Sequence, residues 1–430
     1  VSSNRQSVEE RLREAIAGLT IIDTHEHLPG QEARRPGNSD VLSEWLTHYF
    51  SCDLVSAGLP PARLAEACDA GRPLAERWRT VEPYWRAAES TGYGRSLAIA
   101  ARGLYGIDRI GADTIEELNR RFVAARARGG HYRFVLKEKS RIRVSLLDSD
   151  LGADPEFFVS VIRMDGFICP GHRRELLAAQ ERLNVPVHSV RDWKRALEVE
   201  LDRALRKGAV AVKCGLAYQR SLRFDKTTEA EAEAGFNELF ADPQAPDWRA
   251  GIKTTKAFQD HMMHHLLALA EPRGLTVQFH TGLQEGNGNL IYDANPVLLA
   301  NLFLEYRGVT FDLFHMGYPY MAEISALAKN FANVCIDMCW GHIISPEAAR
   351  RALAEWLDAV PANKISAFGG DYCFVDGVYG HQELARRNVA AALAWKVADG
   401  SMDADRALEV ARWLFVDNPE RIFRLAKTVA

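Results

Sequence analysis

Residues 19–27 read Leu-Thr-Ile-Ile-Asp-Thr-His-Glu-His, a β-branched run that stops on two histidines one residue apart. Branched side chains suit a pleated, half-buried surface. Residues 19–23 therefore predict a strand, with the polar cluster Thr24-His25-Glu26-His27 at its C-terminal end. In an extended chain, residues two apart point to the same side. His25 and His27 can thus grip one ion together while Glu26 points away. A His-x-His pair alone is a weak signal, and its meaning depends on what ends the other strands.

Short apolar runs recur at residues 142–147, 157–163, 209–214, 275–279, 309–314, 334–338 and 365–368. Several run into residues able to bind metal or carry protons: Asp148, His280, His315 and, through Gly369-Gly370, Asp371. Most are followed by a helical pattern, and a helix at residues 190–207 precedes the fourth strand. Strands alternating with helices imply a parallel sheet. Eight of them favour a closed (β/α)8 TIM barrel over an open doubly wound sheet. No glycine-rich phosphate loop follows the first strand, which weighs against a nucleotide-binding sheet. Barrel enzymes draw catalytic residues from the C-terminal ends of several strands. Structural histidines would have no reason to gather there.

The interval 30–139 is too long for one βα unit. The expected division is therefore residues 1–29 as an N-terminal helix and first strand, 30–139 as a helical insertion, and 140–430 as the rest of the barrel. Helical patterns at residues 61–68, 81–90 and 114–128 fill the insertion, with Trp78, Tyr84, Trp85, Tyr93 and Tyr105 as its aromatic content. An insertion after the first strand emerges at the face where barrel active sites lie, so this one can also cap the mouth. A shorter insertion at residues 219–251 follows the fourth strand on the same face. Its acidic run, residues 229–233, reads as a solvated helix face.

Bulk properties narrow the function classes. With 430 residues, 47% hydrophobic and 26% charged, the chain has ordinary globular composition and is long enough for a barrel plus an insertion. A net charge of −4 and the lack of a Lys/Arg block argue against nucleic acid. No apolar run approaches the ~20 residues that span a bilayer, and residues 1–16 begin a polar amphipathic helix rather than a signal peptide. The 7 cysteines have an odd count and no paired short spacings, against a disulfide framework or a zinc knuckle. Cys335 and Cys339 bracket an apolar run and read as core. A reduced, cytoplasmic protein is expected, with neither membrane nor nucleic-acid partner.

At its strand ends the sequence resembles the amidohydrolase superfamily, in the branch called amidohydrolase-2. The resemblance rests on Asp23-Thr24-His25-Glu26-His27, VQFHTG around His280, LFHMGYPY around His315, AFGGDYCF around Asp371 and LFVDNPERIF over residues 414–423, in that order. Within the branch, VKCGLAYQRSL at residues 212–222 is similar to a segment of FluG-like domains. More loosely, the insertion resembles that of uronate isomerases.

The resemblance implies a divalent ion, zinc first among the candidates, held by His25, His27, His280 and Asp371. Imidazole with carboxylate suits zinc, and also iron, manganese or nickel. Such an ion can bring the pKa of bound water down to about 7, and a nearby carboxylate, here Asp371, then carries its proton to the leaving group. His315 would be a ligand to a second ion or an acid/base facing the substrate. Lys213 divides two readings. Carboxylated, it would bridge two ions; uncarboxylated, it and Arg220 would receive a substrate carboxylate, Arg by its fork and Lys as a point charge. The one-ion reading is favoured. Trp340, Tyr379 and His381, with His342 and Tyr372, follow the last two strands and are expected to face the substrate. His261, His264 and His265 share helical spacing ahead of the fifth strand, on the outer ring, and are not expected to form a site. Arg386 and Arg387 are expected to decorate the last long helix.

The expectation is a metal-dependent hydrolase cleaving a C–N or C–O bond in a small polar, carboxylated metabolite. The alternative is a uronate isomerase-like activity on a sugar acid. Non-oxidative decarboxylation and a non-catalytic metal-binding scaffold are further alternatives. A homo-oligomer is expected, with the insertion as its candidate interface.

Overall fold

In the computed structural model, residues 2–241 and 256–425 are described, with side chains from residue 8. Eight parallel strands pair in chain order: β1 (Ile21–Glu26), β2 (Ile142–Asp148), β3 (Phe158–Arg163), β4 (Ala211–Cys214), β5 (Thr276–Phe279), β6 (Thr310–Leu313), β7 (Val334–Asp337) and β8 (Ile365–Ser366). Two backbone bonds bridge the seam between the last strand and the first. Thr24 N–H donates to Phe368 O at 3.0 Å, and Asp371 N–H to His25 O at 2.8 Å. The expected (β/α)8 barrel is the observed fold.

Several strand ends differ from the sequence reading by one to three residues, and two of them have reasons in the ladder. β1 runs on past Asp23 through His25 to Glu26 because Glu26 pairs with Leu147 of β2 after a register shift. β8 stops at Ser366 because the Ala367 N–H turns away to Leu414 O, 2.8 Å.

The barrel interior is graded from apolar to polar. At its N-terminal end Ile22, Val144, Leu146, Val161, Ala211 and Cys335 form one cluster, closed by Ile422, Phe423 and Leu425. Toward the other end, buried Thr24, Lys213, Gln278, Asp312 and Asp337 replace them. Buried polar groups need partners. Gln278 Nε2 donates to Thr24 O at 3.1 Å and to Asp312 Oδ2 at 3.3 Å. Burial also pushes the Asp337 carboxyl up to about 7. The chemistry is therefore confined to one end of the barrel.

Between β1 and β2 stand helices Val41–Trp45, Phe50–Ser56, Pro61–Cys68, Leu74–Ala88, Gly92–Tyr105 and Ile115–Arg128, then a π-helical turn, Arg133–Lys139. Buried Asp376, on the barrel helix Val375–Ala398, fastens them down. Its carboxylate accepts from Trp45 Nε1 (3.1 Å) and Tyr105 OH (2.7 Å), and lies 2.7 Å from His131 Nε2. On that same barrel helix Arg387 is half exposed and pairs with Glu383 at 3.5 Å. Arg386 is no surface decoration. It is buried and donates to Ile16 O, Leu19 O and Ser140 O, tying the helix Ser2–Gly18 to the entry of β2. After β4, the acidic run lies on the helix Glu229–Ala241, and the remainder of the second insertion, residues 242–251, falls outside the described residues. Among the described residues no helix is long and apolar enough to cross a membrane.

Candidate active site

β1 delivers His25 and His27 to the C-terminal mouth, and the turn after β8 delivers Asp371. His27 Nε2 lies 3.1 Å from Asp371 Oδ1, and His25 Nε2 lies 3.6 Å from the same oxygen. The turn needs Gly369 and Gly370 because β1 is so close. A Cβ on Gly370 would sit 1.8 Å from Glu26 Oε1, and one on Gly369 2.6 Å from Thr24 Oγ1. Asp23 anchors the turn by accepting the Gly370 N–H at 2.9 Å, and is itself held by Ser145 Oγ at 2.8 Å. Glu26, on the other side of the strand from the histidines, accepts the Tyr372 N–H at 2.9 Å.

Asp371, His315 and Trp340 all adopt left-handed backbone, with φ of 57°, 64° and 60°. For residues with a Cβ such conformations cost on the order of 1–3 kcal/mol each and concentrate at functional sites. Burial alone would raise the Asp371 carboxyl. The hydrogen bond from His27, with the neighbouring imidazoles of His27, His25 and His315, outweighs it and holds the group well below the usual carboxylate range. Burial, then the charges of Lys213 and His27, hold His25 well below the ordinary imidazole value. His25 is therefore neutral, as a ligand must be.

The residues fit a divalent ion. Both ring nitrogens of His25 are buried without a hydrogen-bond partner, a costly state for a polar group unless an ion takes the lone pair. Two imidazoles, that of His25 neutral, each with Nε2 within 3.6 Å of one oxygen of an ionised carboxylate, form the mixed donor set that zinc and related ions accept.

The remaining expected residues divide. His315 is fully buried, with Nδ1 3.9 Å from Asp371 Oδ2 and 3.1 Å from Cys339 O. Its Nε2 lies 2.9 Å from His280 Nδ1, while His280 Nε2 lies 2.9 Å from Leu283 O. Both nitrogens of His280 are thus engaged within the protein, and it is not brought into the His25–His27–Asp371 group. Carbonyl oxygens only accept, so these three contacts call for three protons on two rings. Burial holds His315 down to about 3 and His280 well below its ordinary value, leaving two protons on the pair at neutral pH. The pair is therefore neutral, and one of its three contacts is short of a proton.

Lys213, at the end of β4, is 2% exposed, and its Nζ sits 3.7 Å over the Phe314 ring. Trp340 stacks on Tyr49 at 4.7 Å and meets the His315 ring edge-on at 5.1 Å. Three expected substrate contacts are taken up elsewhere. Buried Arg220 pairs with Asp260 at 2.6 Å and donates to Gln259 at 3.0 Å and Arg223 O at 2.7 Å, so its fork is filled. Tyr379 packs against Gly103 of the insertion. His381 is buried behind the β8 turn, 3.0 Å from Gly370 O. His264, on the helix Lys256–Arg273, pairs with Tyr306 OH at 2.9 Å.

Other residues at the mouth came without a sequence signal. Tyr49, from the insertion, donates to Asp371 O at 2.6 Å and stacks on Tyr93 at 5.3 Å. Its neighbour His48 is half-buried, and desolvation pushes it down to about 4. Neither lies near a strand end, where a ligand search looks. Asp148, flagged as a strand end, lies 3.7 Å from His27 Nδ1 and is paired with Arg163 of β3.

Comparison with known proteins agrees with this layout. A family model described as amidohydrolase matches residues 153–425. Protein FluG of Emericella nidulans is 26% identical over 178 residues, 40% of this chain and 20% of that protein. A uronate isomerase of Cutibacterium acnes is 28% identical over 106 residues, 25% of this chain and 23% of that protein. The matches thus span about a fifth of the length of these two relatives. In fold, a uronate isomerase from Thermotoga maritima superposes with a TM-score of 0.81, covering 97% of both chains at 16% identity.

Proposed function

From its membership of the amidohydrolase family, to which the chain belongs, we propose that this protein is a metal-dependent hydrolase that cleaves a C–N or C–O bond in a small carboxylated metabolite. The observation that carries the reading is that both nitrogens of fully buried His25 are orphaned, with Nε2 facing Asp371 beside His27. These three residues would hold one divalent ion, zinc first among the candidates. Such an ion supplies Lewis acidity, lowering the pKa of water and drawing charge from a carbonyl.

The chain's own residues do the rest. Asp371, held ionised, takes the proton of the attacking water on its carboxylate and returns it to the leaving group. Lys213 meets the substrate carboxylate with its ammonium, close to the charge of Asp371. The stacked rings of Trp340, Tyr49 and Tyr93 exclude water from one side, which strengthens these electrostatic contacts.

A second reading, isomerisation of a sugar acid, is favoured by one observation. The likeness in fold to a uronate isomerase covers 97% of this chain, so it takes in the helical insertion. At that identity the likeness speaks for fold, and function must be argued from the site. Steady-state assays of the zinc-loaded protein separate the two readings. Hydrolysis of carboxylated amides or lactones without conversion of uronates supports the first, and the converse result overturns it in favour of the second. We also carry forward a homo-oligomer, which light scattering on the full chain tests.

A further inference from the structure

Beside His27 a chamber of about 710 Å³ runs outward beneath the insertion, with Cys373 and Phe374, just past Asp371, in its wall. Ligand-binding clefts commonly measure ~300–1,000 Å³, so this one is of binding size and opens on the proposed ion site. Its lining looks polar by residue type, yet most of the charged and hydroxyl side chains are occupied. Arg34 pairs with Asp150 at 2.8 Å and Arg35 with Glu44 at 2.9 Å, so the charges cancel in place. Ser39, Ser43 and Thr47 donate to backbone carbonyls at 3.1, 3.0 and 2.7 Å. Tyr132 OH donates to Pro29 O at 3.0 Å. Beyond these and Asn38, the surface left to meet a ligand is that of Leu28, Pro29, Pro36, Cys68, Ala70 and Phe374.

We propose that this chamber receives an uncharged apolar body of the substrate, aromatic or branched aliphatic, joined to the carbonyl that reacts beside His27. The inference rests on the metal-dependent hydrolase reading and narrows it to amphiphilic amides, esters or lactones, with a carboxylate at Lys213 and an apolar arm in the chamber. A free sugar acid carries a hydroxyl on nearly every carbon. Those hydroxyls would lose water in the chamber and find most of its donors and acceptors already paired.

Calorimetric titration of the zinc-loaded full chain with two hydroxamates tests this, since both chelate an ion but only one has an arm to reach the chamber. Acetohydroxamate is compared with 4-phenylbutanohydroxamate, on wild type and on Ala70→Trp, which fills the chamber from an exposed position. Each buried methylene is worth about fourfold in affinity, so the phenyl homologue should bind at least ~30-fold tighter to wild type. In Ala70→Trp that advantage should fall below about threefold, with acetohydroxamate unchanged. Equal affinities in wild type, an advantage that survives Ala70→Trp, or no binding of either compound would overturn the proposal. A matched hydrolysis assay on acetyl and phenylacyl amides keeps the two readings apart. Probe binding as expected with no amide cleaved removes the hydrolase and leaves the chamber. Cleavage without preference for the apolar acyl group removes the chamber and leaves the hydrolase.

Discussion

Lys213 is the residue on which two chemistries divide. Its Nζ lies over an aromatic ring with no carboxylate partner among the described ion pairs, and burial pulls its pKa down from the ordinary lysine value. A receptor for a substrate carboxylate needs an unpaired cation of this kind. Lys213→Met keeps the length and removes the charge. It should raise KM for a carboxylated substrate ~30-fold, about 2 kcal/mol, and leave KM for the uncharged analogue unchanged. An equal rise on both substrates would contradict the assignment. Asp337 gives a pH signature. Burial lifts its folded-state pKa to about 7, against ~3.9 for an unfolded aspartate. The folded state thus holds this proton more tightly, so its stabilising contribution is full below about pH 4 and is lost as pH rises through 7. Relative to wild type, Asp337→Asn should gain on the order of 2–4 kcal/mol between pH 5 and pH 8, read from urea midpoints at the two values. Strand-end logic singled out His25, His27 and Asp371, and the structure brings them together. It also singled out His280, whose nitrogens turn to His315 and Leu283; sequence spacing gives position along a strand but not the rotamer. Arg220 was misjudged for a related reason, because its partner Asp260 lies forty residues away and no local pattern joins them.

At the scale of elements, the insertion contributes to the site rather than merely covering it, since Tyr49 reaches the Asp371 carbonyl. Asp376 is the clip that holds it. Burial would raise this carboxyl, but His131, Arg35 and the Tyr105 hydroxyl outweigh that and hold it below its ordinary value. A depressed carboxylate stabilises the fold above its unfolded pKa, and that contribution is lost as pH falls through the folded value. Asp376→Asn should therefore cost about 3 kcal/mol near pH 7, and its gap to wild type should narrow below about pH 4. Urea unfolding at pH 7 and pH 3.5 checks both statements; a gap that widened in acid would contradict them. Strands were legible because short β-branched runs contrast with helical periodicity. Their ends were not, because pairing sets them: Glu26 finds Leu147 and extends β1, while Ala367 finds Leu414 and ends β8. Several insertion helices were legible from apolar spacing. The side chains they send into the mouth were not, because the packing of one helix on another decides where Tyr49 points.

For the molecule as a whole, the gradient inside the barrel is the organising feature. An apolar plug at one end and buried polar groups at the other leave one face able to hold an ion. A ligand that binds only the folded state stabilises it by mass action, roughly 4 kcal/mol at a thousandfold excess over Kd. Removing the ion with a chelator should therefore lower Tm by several degrees, reversibly on adding zinc. His25→Ala should show the lower Tm with or without chelator. The central claim is a single ion held by His25, His27 and Asp371, with Lys213 free for substrate. Its most direct test is metal content per chain by plasma emission, on wild type, His25→Ala and Lys213→Ala purified alike. One ion is expected in wild type, one in Lys213→Ala and close to none in His25→Ala. Two ions in wild type that fall with Lys213→Ala, or undiminished metal in His25→Ala, would contradict it.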